Sequence, residues 1–402
     1  MEVAQLMKYK THRFSTKLIS FVLKKLKFAL LVAGCNLCLA QPRPTIQILK
    51  GTPIFLGQTA VFSGPTQSLG LEARKGVEIH LSEINRMGGV NNRPVMLKSI
   101  DDQGDPETAI ANAKQLLQEE GVVALIASIG TPISEVISNM ALSQRVPLIA
   151  PFSGAESLRV QSNRFTFNIR ASHKREAERL ARQLAAMGLK TASVAYQNDG
   201  FGKSSLASFK ATAESLGMAV PTQKILSSDR SKTTQAAKDV AQANAQSVVI
   251  FATYDLAADF IRSSRAAGNG TMFMTASVAG SKALTEQLLD EARGMGVSQV
   301  MPYPWSTSVP VVASYQKAMK SSGYSDKDYN YSSLEGYIAA RMTVQALKRA
   351  GKDINSETLT KALERLGEFD LGGYVVRFGA DEREGSKYVD LTIVGAGGKF
   401  LK

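Results

Sequence analysis

The sequence predicts an α/β fold of two similar lobes, each built on a mainly parallel central sheet covered by helices. Short apolar, β-rich runs alternate with stretches of helical period from Phe55 onward, which is how strands joined by crossover helices read. The alternation occurs twice, over residues 55–150 and again over 191–276, without any repeat of sequence. At 402 residues the chain is also too long for one small core and suits two lobes of ordinary domain size.

The first element is a leader. Residues 1–40 hold Lys8, Lys10, Arg13, Lys17, Lys24, Lys25 and Lys27 against Glu2, and the basic run ending at Lys27 leads into an apolar segment from Phe28 to Ala40. That order spells an export signal. Its apolar part is short of the roughly 20 residues that span a bilayer. Two exits are written in it: Val32-Ala33-Gly34-Cys35 resembles a lipoprotein box, and Cys38-Leu39-Ala40 offers small residues for cleavage before Gln41. Location is therefore expected to be periplasmic, either soluble or lipid-anchored at Cys35. Both cysteines of the chain lie here, so no disulfide is expected in the mature body. The Cys35-x-x-Cys38 spacing of a redox or metal pair has no flanking ligands and an apolar setting.

Charge excludes one class of partner. Of the formal +13, the leader contributes +6, and the remaining +7 is spread over helices of mixed sign. That is a mildly basic solvated surface, without the clustered bases and interleaved aromatics of a nucleic-acid binder.

Expected strands are Phe55–Phe62, Val95–Asp101, Val123–Ser128, Leu148–Ala150, Thr191–Tyr196, Ala219–Ile225, Ser247–Ala252, Met272–Thr275 and Val297–Met301. Between the first two, residues 70–86 place Leu71, Val77, Ile79, Leu81 and Ile84 at helical spacing, and Gly88-Gly89 stops the helix. Asp105-Pro106-Glu107 opens the next one with a cap, a proline in the first turn and an acid at the positive end of the dipole. The last section differs: helices over 309–322, 332–350 and 357–366 precede strands Tyr374–Phe378 and Tyr388–Val394, pieces that must complete lobes already begun.

Catalytic parts are scarce. His12, His80 and His173 are the only histidines, none at metal-ligand spacing, and no G-x-S-x-G elbow occurs. His80 and His173 read as surface or supporting groups, and neither cofactor nor metal is expected. Asp199-Gly200-Phe201-Gly202-Lys203-Ser204 follows a strand and opens a helix, but a phosphate loop needs glycine where Gln197 stands. The simpler use of this loop is to set Phe201 over a ligand. Gly395-Ala396-Gly397-Gly398 reads as a hairpin turn. More informative are Ser63-Gly64-Pro65-Thr66, Gly130-Thr131-Pro132 and Ser153-Gly154, each following a strand of the first lobe. Hydroxyls and free backbone N–H groups at helix starts favour a carboxylate. Helix capping alone explains any one of them; three at one sheet edge point to a site, because ligands of open parallel sheets sit beyond the carboxyl ends of the strands.

Residues 58–65 (Gln-Thr-Ala-Val-Phe-Ser-Gly-Pro), Gly70, Gly76, the run Glu83-Ile84-Asn85-Arg86-Met87-Gly88-Gly89-Val90-Asn91, Asp101-Asp102-Gln103-Gly104-Asp105-Pro106 and Val146-Pro147-Leu148-Ile149-Ala150-Pro151 occur in that order. Together they resemble the branched-chain amino-acid (Leu/Ile/Val) binding proteins of ABC importers, over essentially the whole mature chain. The resemblance implies a type I periplasmic-binding-protein fold: two Rossmann-like lobes joined by three crossovers and closing on a ligand by hinge motion. It implies lobes of residues 41–171 with 306–371, and 172–305 with 372–402. It further implies a small-molecule ligand, membrane permease subunits as partners, a monomer, and no catalysis.

Carried over by position, Thr131 with Gly130 resembles the donor to a ligand carboxylate, and Ser153 with Gly154, beside Phe152, sits among further contacts near Ser63. Leu69 falls where the family often has a pocket tyrosine, Phe201 where it has an aromatic of the second lobe, and Tyr254 at the next contact. Two departures matter: Gly154 replaces a threonine, and Ser277 stands where amino-acid binders place the acid that pairs with the ammonium group. A buried ammonium without a charged partner is costly, so the expected ligand keeps its carboxylate and lacks the ammonium, unless Glu335 supplies the charge. For Glu335 the plain alternative is an acid in a first helical turn. Trp305 either lines the cleft or packs the hinge. Two other readings stay open: a ligand-sensing regulatory receptor on the same fold, and an enzyme of doubly wound architecture.

Overall fold

A computed structural model of the chain describes residues 51–402. The leader, with its two exits, Cys35 and Cys38, lies outside the described residues, and no helix within them is long and apolar enough to cross a membrane.

The first sheet contains β1 (Ile54–Ala60), β2 (Val95–Asp101), β3 (Ala124–Ile126), β4 (Leu148–Ile149) and β5 (Thr166–Phe167). All its pairs are parallel, in the order β2-β1-β3-β4-β5. Helices α1 (Gln67–Arg86), α2 (Pro106–Gln118) and α3 (Thr131–Gln144) make the crossovers. The chain then enters α4 (His173–Ala186) and a second sheet of β6 (Ala192–Gln197), β7 (Gln223–Leu226), β8 (Ser247–Phe251), β9 (Met272–Thr275) and β10 (Gly296–Gln299). Its helices are α5 (Gly200–Ser215), α6 (Arg230–Gln242), α7 (Tyr254–Ala266) and α8 (Lys282–Leu288). The parallel order β7-β6-β8-β9-β10 repeats that of the first sheet, so the twofold alternation in the sequence is a repeat of topology.

Helices α9 (Pro310–Ser321), α10 (Tyr331–Arg349) and α11 (Ser356–Glu364) follow, then the antiparallel pair β11 (Gly367–Asp370) and β12 (Val375–Phe378). Finally β13 (Asp390–Val394) and β14 (Phe400–Leu401) extend the second sheet antiparallel beyond β10. The chain has thus passed between the layers three times.

Local chemistry accounts for the element boundaries. Asp105 caps α2 by accepting from the Thr108 amide at 2.8 Å, with Pro106 in the first turn. At the end of α1, Gly89 takes a φ of +68° and its amide donates back to Ile84 O, the left-handed stop that glycine tolerates without a Cβ penalty. Helix α10 returns to lie against α1 so closely that a Cβ on Gly76 would stand 1.9 Å from Ser333 O, and one on Gly336 2.1 Å from Ala73 O.

Four elements depart from expectation. β5 pairs through two residues, one of them the polar Thr166, too short to show as an apolar run. β7 begins four residues late, because Ala219 makes only an isolated bridge to Thr191. β11 and β14 were not expected; β14 pairs back on β13 across a 3-10 turn at Ala396–Gly398, which makes the expected hairpin.

The three passages bond to one another. Asn168 bridges Glu384, and the Gly385 amide donates to Asn168 O at 2.8 Å. The buried Tyr374 hydroxyl lies 2.6 Å from Ile169 O and 3.1 Å from Val300 O.

Candidate functional site

The carboxyl ends of both parallel sheets face one cavity of about 700 Å³. From the first sheet come Val61 after β1, Gly104 after β2, Gly130 and Thr131 after β3, Phe152 after β4, and Arg170 and His173 after β5. From the second come Gln197 at the end of β6 and Phe201 after it, Ser227 after β7, Thr253 and Asp255 after β8, Ser277 after β9, and Gln299 at the end of β10 with Val300 and Met301 after it. The start of α10 adds Tyr331, Ser332 and Glu335. The volume lies in the range of small-molecule sites.

Of the residues singled out from sequence, Leu69, Gly130, Thr131, Phe152, Phe201, Ser277 and Glu335 line the cavity. Thr131 opens α3, whose N-cap Gly130 makes no side-chain cap; its Oγ1 lies 2.8 Å from Ser153 Oγ. Ser153 Oγ also accepts from the Ala155 amide. Phe201 is buried with its ring 4.6 Å from that of His173. The other five are not among the lining residues. Ser63 hydrogen-bonds Asp101. Gly154 abuts His173, and its amide donates to His173 Nε2 at 2.8 Å. Tyr254 accepts from the Ser68 amide at the start of α1 at 3.4 Å, a contact across the gap between the two sheets. Trp305 donates to Asp326 O at 3.1 Å and packs on Tyr303 and Tyr331.

The glycine-rich loop before α5 is capped from within. Asp199 accepts from the Gly202 amide at 2.9 Å, so a carboxylate of the chain already occupies the place a phosphate would take. His80 lies inside α1 against Glu83 and Tyr337, away from the cavity.

Sequence reasoning missed the charge network at the cavity floor. Arg170 and Glu335 are each 4% exposed, with Nε and Oε1 3.4 Å apart. Arg170 Nη2 donates to Ser277 Oγ at 2.7 Å. The amide and hydroxyl of Ser277 donate in turn to Glu176, at 2.8 and 3.0 Å, and Ser298 Oγ donates to the same carboxylate at 2.7 Å. Burial pushes Glu335 up to about 7 against the pull of Arg170. Burial, then the nearby Arg170 and Arg159, hold His173 well below the usual histidine range. With Nε2 accepting from Gly154, the neutral ring carries its proton on Nδ1. The signal for Arg170 was its place after Thr166-Phe167, had that two-residue strand been legible.

The periplasmic binding protein family matches residues 53–399. A Leu/Ile/Val-binding protein homolog 3 of Brucella melitensis biotype 1 is 25% identical over 166 residues, 41% of this chain and 45% of that protein. The chain thus spans under half the length of that curated relative. Among solved structures, a possible leucine/isoleucine/valine-binding protein from Rhodopirellula baltica SH 1 superposes with a TM-score of 0.81 at 26% identity, over 88% of this chain and 97% of the other. A substrate-binding periplasmic protein from Ralstonia solanacearum does so with 0.80 at 28%, over 87% and 99%. A family match along nearly all the described residues, the same fold in both neighbours, and one cavity at the carboxyl edges of two like-ordered sheets lead to one conclusion: this chain belongs to the periplasmic binding protein family.

Proposed function

We propose that the chain is the extracytoplasmic solute-binding component of an ABC importer, holding a small carboxylate-bearing ligand in this cavity without altering it. The two lobes, residues 41–171 with 306–371 and 172–305 with 372–402, close on the ligand about their three crossovers, and the closed monomer docks on membrane permease subunits. One observation carries the reading: both sheets turn their carboxyl edges to a single cavity of about 700 Å³, as a two-sided grip requires. Thr131 and the uncapped start of α3 receive the carboxylate, for hydroxyl and amide donors at a helix N-terminus favour an anion.

The names of the relatives suggest branched-chain or other amino acids, whereas the cavity favours an aromatic or aliphatic organic acid. Ser277 offers no charge to an ammonium group, and its hydroxyl is already shared between Arg170 and Glu176.

A thermal-shift and calorimetric screen of amino acids, aromatic acids and short amides tests this. Simple acids are expected to bind more tightly than leucine or valine, and a ligand at 100 times its Kd adds about 2.7 kcal/mol of stability. Thr131→Ala is expected to weaken the bound acid by about tenfold, one charge-assisted hydrogen bond, with little loss of fold stability. Unchanged affinity refutes that placement.

A further inference from the structure

The cavity floor holds an ion pair that its surroundings leave incomplete. Arg170 comes from the first passage between the layers and Glu335 from the start of α10, and both side chains are almost wholly buried. Their nearest atoms, Nε and Oε1, are 3.4 Å apart, yet neither has a hydrogen-bond partner among the described residues. Two buried charges at that separation, without a hydrogen bond between them, recover little of what they lost on leaving water. A carboxylate that meets the guanidinium fork with two parallel N–H···O bonds does better.

The neighbouring charges are otherwise engaged. Glu176, on α4, accepts from Ser277 and Ser298. Arg159, from the 3-10 turn Glu156–Arg159, donates to the carbonyls of Ala155 and Arg170. Arg170 and Arg159 draw Glu335 toward its charged form, while Glu176 and burial oppose it. The remaining facing group is the hydroxyl of Tyr374, itself raised by burial and by Glu335. Within this cluster Arg170 keeps Nη2 on Ser277 Oγ at 2.7 Å, while its Nε and Glu335 Oε1 face each other unbonded.

An incoming acid would place two carboxylates on one guanidinium. Like charges that close cannot both stay ionised in a buried setting. The one that accepts a proton is Glu335, already raised to about 7, whereas a simple carboxylic acid has its ordinary pKa near 4.

We propose that Arg170 is the counter-ion of the acid group that Thr131 and the start of α3 also receive, all three lining the same cavity, and that Glu335 releases Arg170 by taking one proton from solvent. The proposal rests on the solute-binding reading above and names its ligand class: a monoanionic organic acid without an ammonium group. An α-amino acid would need Glu335 ionised and would set its own positive charge beside Arg170, so it is the disfavoured ligand.

Calorimetry of the full chain with benzoate, 3-methylbutanoate and leucine tests this between about pH 6 and pH 8, where both acids stay ionised. Acid affinity is expected to be level below about pH 7 and to fall by up to tenfold from pH 7 to pH 8, the slope for one linked proton. Titrations in two buffers of different ionisation heat are expected to show little proton uptake at pH 6 and uptake approaching one proton at pH 8. Glu335→Gln is expected to abolish the pH dependence and keep the pH 6 affinity at pH 8; Arg170→Met is expected to lose tenfold or more at every pH. Wild-type binding of an acid with flat pH dependence and no proton uptake overturns the proposal, whether or not either variant folds. So does leucine binding that outranks the acids and is lost in Glu335→Gln. Acids that bind with a flat profile yet weaken in Thr131→Ala would leave the solute-binding reading standing and remove this one. No binding of any probe at any pH overturns both.

Discussion

Gly154 marks how tightly the floor of the site is built. A Cβ there would stand 2.3 Å from His173 Cδ2 and 2.5 Å from the His173 amide nitrogen, so no side chain fits without moving the ring. His173 in turn packs on Phe201, which lines the cavity from the second sheet. Gly154→Ala is therefore expected to cost about 1–3 kcal/mol by overpacking and to weaken ligand binding by displacing His173 and Phe201. Urea denaturation and calorimetry check the two effects separately. At this scale the sequence was legible where a residue follows a recognisable strand: Thr131 follows β3 and Phe201 opens the helix after β6. It was illegible at Arg170, because the strand before it pairs through Thr166 and Phe167 alone. The role of Ser277 was half legible. Its lack of charge could be read from the letter, but the guanidinium against its hydroxyl could not, since Arg170 is more than a hundred residues away in the chain.

Among the elements, the three passages decide whether two sheets can act on one ligand. Tyr374 is fully buried within the third, and its one hydroxyl hydrogen is shared between Ile169 O and Val300 O, carbonyls of the other two. Both carbonyls adjoin residues of the cavity wall, Arg170 and Met301. Tyr374→Phe leaves them without this donor, at an expected cost of about 1–3 kcal/mol. Because the tie joins the three passages that the proposed closure would bend, the variant is also expected to change ligand affinity, through altered closure. Stopped-flow binding and a denaturation midpoint measure both; an unchanged midpoint and unchanged rates refute the tie. None of this was readable from strand and helix patterns. Periodicity reports which face of an element is buried, not which hydroxyl reaches across to a carbonyl of another segment.

For the molecule as a whole, the proposed function requires a change of shape. Acid binding is expected to reduce the radius of gyration of the full chain in solution X-ray scattering, since contacts from both sheets draw the lobes together. An unchanged radius on saturation with a bound acid would mean the ligand is held without closure. The sequence by itself determined the fold class, the repeated order of strands and helices, the hairpin at Gly395–Gly398 and the poverty of catalytic groups. Those features are local: apolar period, caps, glycine stops and composition act within a few residues of themselves. Only the tertiary structure decided which side chains meet at the cavity floor, namely Arg170 from the first passage, Ser277 from the second sheet, Glu176 from α4 and Glu335 from α10. A buried charge takes its partner and its proton affinity from whatever surrounds it in space, and no spacing along the chain encodes that.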